Sequence, residues 1–511
     1  MTLDGMLAAA AQRAPDAVAL IEGDRRTTYA ALDTLVSQAA ALLLARGVGA
    51  GDRVVIALDN SAEMVAAYFG AMRAGAVAVP LMAGPRSDRL PAAVADCAPR
   101  AAIVDESTLR NPAAKDALAA VPAVVLHAAS GAGAEFTAGL ASVTVPATWP
   151  PHGDTDLAAI IYTSGSTGEP RGVMLSHRNF EANARSIVAY LGLTAADRVM
   201  CVLPFYYVYG LSLLHTHVAV GGSIVIENRA AFPNVVLDGM AAHEVTGFAG
   251  VPSTFALMLH RSNLDQATLP RLRYVTQAGG AMPPAKIEEW RARGPKTDFF
   301  VMYGATEAAA RLTFLPPADI VRKAGSIGRP IPGVEIRVVT DAGRVAAPGE
   351  VGELVARGDN ISAGYWRRPD ETAARFGPDG YRTGDLGYAD DEGFLFLVGR
   401  QHDMIKVGAN RVGAREIEDV LHEHPAVLEA AVVPAYHDLL GEVPIALVSL
   451  REAVDDAGQV LRGFVAARMP AYKVPARVMV LPELPKLSGS GKLDRPALRR
   501  LGSGAAAGAG A

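Results

Sequence analysis

Short apolar strands alternate with amphipathic helical stretches from the start of this chain, and that rhythm limits the fold more than any other feature. Tyr29 to Leu44 has helical spacing, and Arg53 to Leu58 reads as a buried strand. Ser61 to Met72 reads as a helix capped at Asn60 or Ser61, and Ala76 to Pro80 as the next strand. Ala101–Val104 and Ala123–Leu126 continue the pattern. Strands that recur across intervening helices predict a largely parallel sheet. Residues 128–155, rich in Ala, Gly, Ser and Pro, read as a surface connection. A strand at Leu157–Tyr162 restarts the alternation, which runs to about residue 308. From Gly333 to Val398 short strands separated by turn signals indicate a small β-rich subdomain. A compact α+β pattern follows. The fold class expected is therefore α/β, with 511 residues too many for one ordinary core. The expected division is an N-terminal domain of βα-layered sheets over 1–399, with its β-rich subdomain at about 333–398. A hinge follows at 400–402, then a small C-terminal α+β domain over 403–500 and a disordered Gly/Ala-rich tail over 501–511.

Composition narrows the function. Half the chain is hydrophobic and a fifth is charged, the profile of a globular protein. Lys and Arg total 48 against 53 Asp and Glu, so no basic excess points to nucleic acid or an anionic membrane. Two cysteines, Cys97 and Cys201, argue against a disulfide framework or a Cys-rich zinc site and fit a reducing cytoplasm. No signal peptide and no apolar run long enough to span a bilayer is expected. His215 and His217 alternate as a metal pair would, but with no third ligand nearby, packing is the favoured reading.

The chemistry is concentrated in Tyr162-Thr-Ser-Gly-Ser-Thr-Gly-Glu-Pro-Arg-Gly172. Seven of these eleven residues are Gly, Ser or Thr, and apolar segments flank both ends. Backbone N–H groups and hydroxyls in such a loop can close around phosphate oxygens. Thr163, Ser164, Gly165, Ser166, Thr167 and Gly168 supply them, and Arg171 adds a cation. A flexible linker would not sit between two buried strands. No Gly-Lys-Ser/Thr closes the loop, so it is not a Walker A motif.

With that loop the chain resembles the adenylate-forming superfamily: acyl- and aryl-CoA synthetases, peptide-synthetase adenylation domains and firefly luciferase. Further motifs stand in the family's order: Tyr303-Gly-Ala-Thr-Glu307, Tyr381-Arg-Thr-Gly-Asp385, Gly399-Arg400, and Ser490-Gly-Lys492. The resemblance implies ATP and Mg²⁺. It implies that Tyr303 stacks on adenine beside Gly304, that Thr306 bonds phosphate, and that Glu307 is the metal ligand. Asp385 takes the ribose hydroxyls with Arg400 in support, and Gly279, Gly280 and Ala281 complete the nucleotide wall. Lys492 bridges the acid's carboxylate and the α-phosphate, where a mobile point charge suits developing charge. The C-terminal domain is expected to be a mobile lid. Its swing about the hinge, His402 and Asp403, would exchange Lys492 for Lys406, Gly408, Ala409 and Arg411 in the second half-reaction.

Departures from the family's pattern bear on the acceptor and the acid. Arg171 stands where Lys is common, His402 where Asp or Lys is common, and Ala409 where CoA ligases usually carry Gly. The wall of the acid pocket is expected from Tyr206, Tyr207, Phe248, Gly250, Gly279 and Ala305. All are apolar, aromatic or small, which favours an uncharged aryl, alicyclic or acyl acid. The expected activity is ATP-dependent adenylation of that acid, with pyrophosphate released and the acyl group passed to CoA. The alternative acceptor is an amino acid, as in coronafacate ligase, which Ala409 permits. No fused carrier domain is evident. A nucleotide-binding module without turnover, and a luciferase-like oxygenase, are the remaining readings.

Overall fold

The computed structural model describes residues 1–127, 135–164, 170–400, 404–408, 410–437, 439–486 and 493–506. Three sheets organise it. Six strands form the first, in the order Ala123–His127, Ala101–Asp105, Arg53–Ala57, Val77–Pro80, Leu157–Ser164, Pro170–Ser176. Its first five strands are parallel and the last turns back as a hairpin. The helices between them form because apolar residues recur at helical spacing: Ala62–Arg73 starts at Ser61, whose hydroxyl accepts from the Met64 N–H.

The second sheet has a parallel half, built on Val18–Glu22, Ser223–Ile226, Arg198–Cys201, Gly247–Gly250, Tyr274–Gln277 and Asp298–Tyr303. Thr313–Leu315 and Ser326–Pro330 then run antiparallel and join it directly to Leu395–Arg400, Gly380–Ala389, Gly352–Gly358 and Val334–Val339. The β-rich stretch is thus a hydrogen-bonded continuation of the parallel sheet. The third sheet, of five strands, belongs to the C-terminal region and is centred on the long pair Val427–His437 and Gly441–Leu450. The α/β class with a large N-terminal and a smaller C-terminal domain is the observed architecture.

Two expectations fail. The connection at 128–155 contains a helix, Glu135–Ser142, because Phe136 and Leu140 lie one turn apart and both bury. The tail is not disordered from 501: the helix Arg495–Ala506 continues through it, and Gly502 is buried because a Cβ there would come 2.6 Å from Val433 Cγ2. Residues 507–511 lie outside the described residues. His215 and His217 are buried on the helix Val208–Val220, bonded to the hydroxyls of Tyr68 (3.2 Å) and Tyr274 (3.4 Å), which is packing. Among the described residues no helix is long and apolar enough to cross a membrane.

Candidate active site

The Gly/Ser/Thr sequence begins at the end of the strand Leu157–Ser164, which pairs antiparallel with Pro170–Ser176 so that Thr163 faces Arg171 and Ser164 faces Pro170. Gly165, Ser166, Thr167 and Gly168 lie outside the described residues. The return strand is bridged to a distant segment: Met174 N–H donates to Gly364 O (3.0 Å) and Trp366 N–H to Gly172 O (2.7 Å). That bridge brings Tyr365 beside the hairpin. Arg171 is already engaged there, with Nε 2.6 Å from Glu371 Oε2 and its guanidinium 5.8 Å from the centroid of the Tyr365 ring.

Tyr365 leads to the second motif. Its hydroxyl donates to Glu307 Oε1 at 2.8 Å, and burial with the nearby Glu307 charge pushes that phenol up from its ordinary pKa. The Ser362 N–H is bonded to the Glu307 carbonyl at 2.8 Å, so backbone and side chain of Glu307 are both fixed. Oε2 has no partner among the described residues. A carboxylate held by one oxygen, with the other left over, fits a hard cation such as Mg²⁺, which keeps waters and takes few protein ligands. Thr306 opens the short 3-10 turn Thr306–Ala308, next to Ala305.

Tyr303 ends the strand Asp298–Tyr303. Its hydroxyl donates to Asp385 Oδ2 at 2.5 Å, and burial, with Asp385 beside it, raises its pKa well above the usual range. Arg400 Nε lies 3.2 Å from Asp385 Oδ1, because Asp385 and Arg400 are cross-strand partners. The turn before Asp385 is fixed by Glu353: Oε1 accepts from the Gly384 N–H and Oε2 pairs with Arg382. Gly384 there has φ +74°, a conformation that favours glycine. Gly304 is required by close approach, since a Cβ would fall 1.9 Å from Ala310 O.

Of the residues expected to wall the acid, Tyr206 and Tyr207 are half-buried with ring centroids 4.6 Å apart; nearby Tyr209 is buried with its hydroxyl on Thr276 O (2.9 Å). Burial pushes the Tyr206 phenol up. Gly250 ends its strand under Phe255, whose ring would be 3.0 Å from an added Cβ. Gly279 (φ +82°), Gly280 and Ala281 form an exposed loop drawn in by Gln277 Nε2 on Gly280 O (2.8 Å). Phe248 does not belong to this wall: it is 0 % exposed and packs in the core against Phe255, edge to face.

In the C-terminal region Lys406 is exposed on the strand Ile405–Val407. It lines a cavity of about 520 Å³ with Met404, Glu353 and Arg382, against the turn that carries Asp385. Gly408 (φ +58°) donates its N–H to Leu440 O at 2.8 Å. Arg411 pairs with Lys406 across the strands. His402, Asp403, Ala409 and Lys492 lie outside the described residues. The structure thus brings Tyr303, Asp385 and Arg400 into one cluster, and Arg171, Tyr365 and Glu307 into another. Sequence reasoning missed Tyr365 and Glu371, whose placement depends on a bridge across nearly two hundred residues. It also missed Asn183, although a lone amide on the apolar face of Phe180, Ala184 and Ile187 is a visible signal.

Two family models match: that for AMP-binding enzymes over residues 7–366, and that for the AMP-binding enzyme C-terminal domain over 416–492. The chain is 34 % identical over 494 residues to an indoleacetate–CoA ligase of Aromatoleum aromaticum, covering 95 % of both chains. It is 33 % identical to a 2-succinylbenzoate–CoA ligase of Bacillus subtilis, covering 96 % of both. A crystal structure of an anthranilate CoA ligase in complex with anthranoyl-AMP superposes with a TM-score of 0.92 at 27 % identity, over 99 % of this chain and 98 % of that one. Enzymes that form adenylates in this way use ATP and Mg²⁺. The chain belongs to the AMP-binding enzyme family, within the adenylate-forming superfamily, and is an AMP-forming acid–thiol ligase.

Proposed function

We propose that this enzyme activates a carboxylic acid with an apolar, aryl, alicyclic or acyl, body as its acyl-AMP and transfers the acyl group to CoA. The observation that carries this reading is the Tyr303–Asp385–Arg400 cluster. It fixes the ring of Tyr303 and sets the Asp385 carboxylate beside it, an arrangement suited to an adenine face and a ribose diol. In the first step a carboxylate oxygen bonds to the α-phosphorus and the bond to the β-phosphate oxygen breaks, releasing pyrophosphate. The protein's task is positioning and charge neutralisation. Thr306 and the loop from Thr163 to Gly168 hold phosphate oxygens. Arg171 joins them by exchanging Glu371 for phosphate. Gly279, Gly280 and Ala281 wall the nucleotide. Mg²⁺, held by Glu307, would offset charge on the phosphates. Lys492 bridges the carboxylate and the α-phosphate.

In the second step the CoA sulfur bonds to the acyl carbon, the acyl–phosphate bond breaks, AMP leaves and the thiol proton passes to solvent. A lid of residues 403–500, turning at 400–402 about His402 and Asp403, brings Lys406, Gly408, Ala409 and Arg411 to the site and removes Lys492. Excluding water at this stage protects a hydrolysable anhydride. The N-terminal body, residues 1–399, carries Tyr206, Tyr207, Gly250 and Ala305 as the acid wall. A cytoplasmic location is part of this reading.

The test is acid-dependent pyrophosphate release across a panel of acids, run with CoA, with mixed amino acids, and with neither. Release that rises with CoA and yields a thioester is expected. Amide formation that ignores CoA would replace CoA by an amino acid as acceptor, and release with no acid at all would overturn the reading.

A further inference from the structure

Arg311 is the most deeply buried charge near the acid wall, 3 % exposed, and no carboxylate lies within ion-pair distance of it among the described residues. Its partners are weak. Nε points at the Met302 sulfur (3.2 Å), Nη1 reaches its neighbour's carbonyl, Ala310 O, at 3.4 Å, and the Tyr190 hydroxyl, itself on the Met302 sulfur (3.0 Å), lies in hydrogen-bonding reach of the guanidinium, so every partner is uncharged. The guanidinium carbon lies 4.1 Å from the centroid of the Tyr209 ring. Burying a cation without a counter-charge is costly, and a thioether and a ring face return little of that cost.

The backbone is built to hold Arg311 there. Ala309 (φ 53°) and Ala310 (φ 129°) immediately before it are both in conformations that alanine rarely adopts. Two amides clamp the ends of this strained turn. Asn360 Nδ2 donates to Ala308 O (3.1 Å) and Arg311 O (2.8 Å), and Asn183 Nδ2 to the same two carbonyls at 3.4 and 3.2 Å. Both asparagines are buried. Strain that the surroundings over-determine in this way is a mark of a functional position.

Its neighbours tie it to both motifs. Arg311 lies four residues beyond Glu307 and beside Met302, the residue before Tyr303. Tyr209 connects it to the acid wall, because that tyrosine follows Tyr206 and Tyr207 and bonds Thr276, one residue before Gln277 and the Gly279–Ala281 loop. We infer that Arg311 is the terminal anchor of the acid pocket, and that the substrate is an acid with an apolar body and a second anionic group, a carboxylate or sulfonate, at the end remote from the reacting carboxylate. This inference rests on the acid-activating reading and revises the expectation of a wholly uncharged acid. The remote anion would accept from the fork of a guanidinium that has no protein carboxylate, and Tyr209 would keep the planar group in register.

The experiment compares matched pairs of acids in pyrophosphate release: hexanoate with hexanedioate, and phenylacetate with its ring-carboxylated and ring-sulfonated derivatives. The wild-type enzyme is expected to favour the doubly anionic member of at least one pair by about 100-fold in kcat/KM, since a site built for a charged group leaves it unpaired with the plain analogue. Arg311→Met should reduce that ratio by about 100-fold, mostly through KM, and Arg311→Lys should retain part of it. Urea unfolding of both variants separates lost selectivity from lost fold, and the wild-type ratio stands whether or not Arg311→Met folds. A wild-type preference for the plain acids, with the ratio unmoved in Arg311→Lys, would overturn the anchor and leave acid activation intact. Failure of every acid to release pyrophosphate would overturn the acid-activating reading and the anchor with it.

Discussion

Around Tyr303 the charges come in protein pairs: Asp385 lies between a tyrosine hydroxyl and Arg400, Glu353 locks Arg382, and Glu371 holds Arg171. Around Tyr209 the arrangement is reversed. Arg311 is buried against uncharged groups, the Tyr209 ring, the Met302 sulfur and the Tyr190 hydroxyl, and the nearby buried histidines, His215 and His217, are neutral and bonded to tyrosines or backbone. The first region, proposed to bind nucleotide, is cross-braced by strands of a continuous sheet. The second, proposed to bind the acid, is packed from helices against the parallel half. A site paired within itself can exchange partners for a ligand's charges at little cost. A site with a missing partner selects ligands that supply it.

The largest break in this comparison is expected from Gly304→Ala, which strikes the junction of both regions. The new Cβ would collide with Ala310 O, a backbone atom that cannot swing away. Adenylation of every acid should be lost, with destabilisation of about 3 kcal/mol or more in urea unfolding. Retained activity would show that the 304–311 turn is free to shift.

Acid should separate the regions next. Burial holds His177 and His217 at about 4 and His215 at about 3 in the folded protein, against 6.5 for a free histidine. Between those values the unfolded chain binds more protons than the folded one, so stability is fully present above pH 6.5 and falls as pH drops toward 4. Each group contributes about 3 kcal/mol to that loss. The charges facing them, Asp4, His152 and Asp156 at His177, and Asp197 and Arg273 at His217, leave the sign unchanged. Urea midpoints measured from pH 7 to pH 5 should fall, and a flat profile would mean these histidines protonate in the native state.

Two substitutions sharpen the contrast by acting on the Tyr303 side alone. Asp385→Ala removes the partner of both Tyr303 and Arg400 and should raise KM for ATP about 100-fold, the worth of two charge-assisted hydrogen bonds, while acid selectivity holds. A change in acid preference would show that the two regions are coupled. Glu307→Gln should have the smallest effect, about a 10-fold higher Mg²⁺ requirement at unchanged acid preference, read from the Mg²⁺ dependence of pyrophosphate release.

Much of the architecture was legible because its causes are local. Periodicity read Tyr29 to Leu44 and Ser61 to Met72 as helices, and they fold as Tyr29–Ala45 and Ala62–Arg73 with the strand Arg53–Ala57 between them. Tyr303, Glu307, Asp385 and Arg400 were named from motif order, which needs no knowledge of contacts. Phe248 was misplaced because a strand residue's two faces, core and cavity, look the same in one dimension. The helix Glu135–Ser142 was missed because small residues hide a two-residue apolar face.

By itself, then, the sequence determined the element order and the family, and it named the groups proposed to handle an adenylate. Only the tertiary structure decided how those groups are partnered: Arg171 on Glu371, Glu307 on Tyr365, and the turn before Arg311 clamped by Asn183 and Asn360. The reason is distance along the chain. Asn183 meets the Ala308 carbonyl across 125 residues, and no local pattern records which buried cation will be left for a substrate to neutralise.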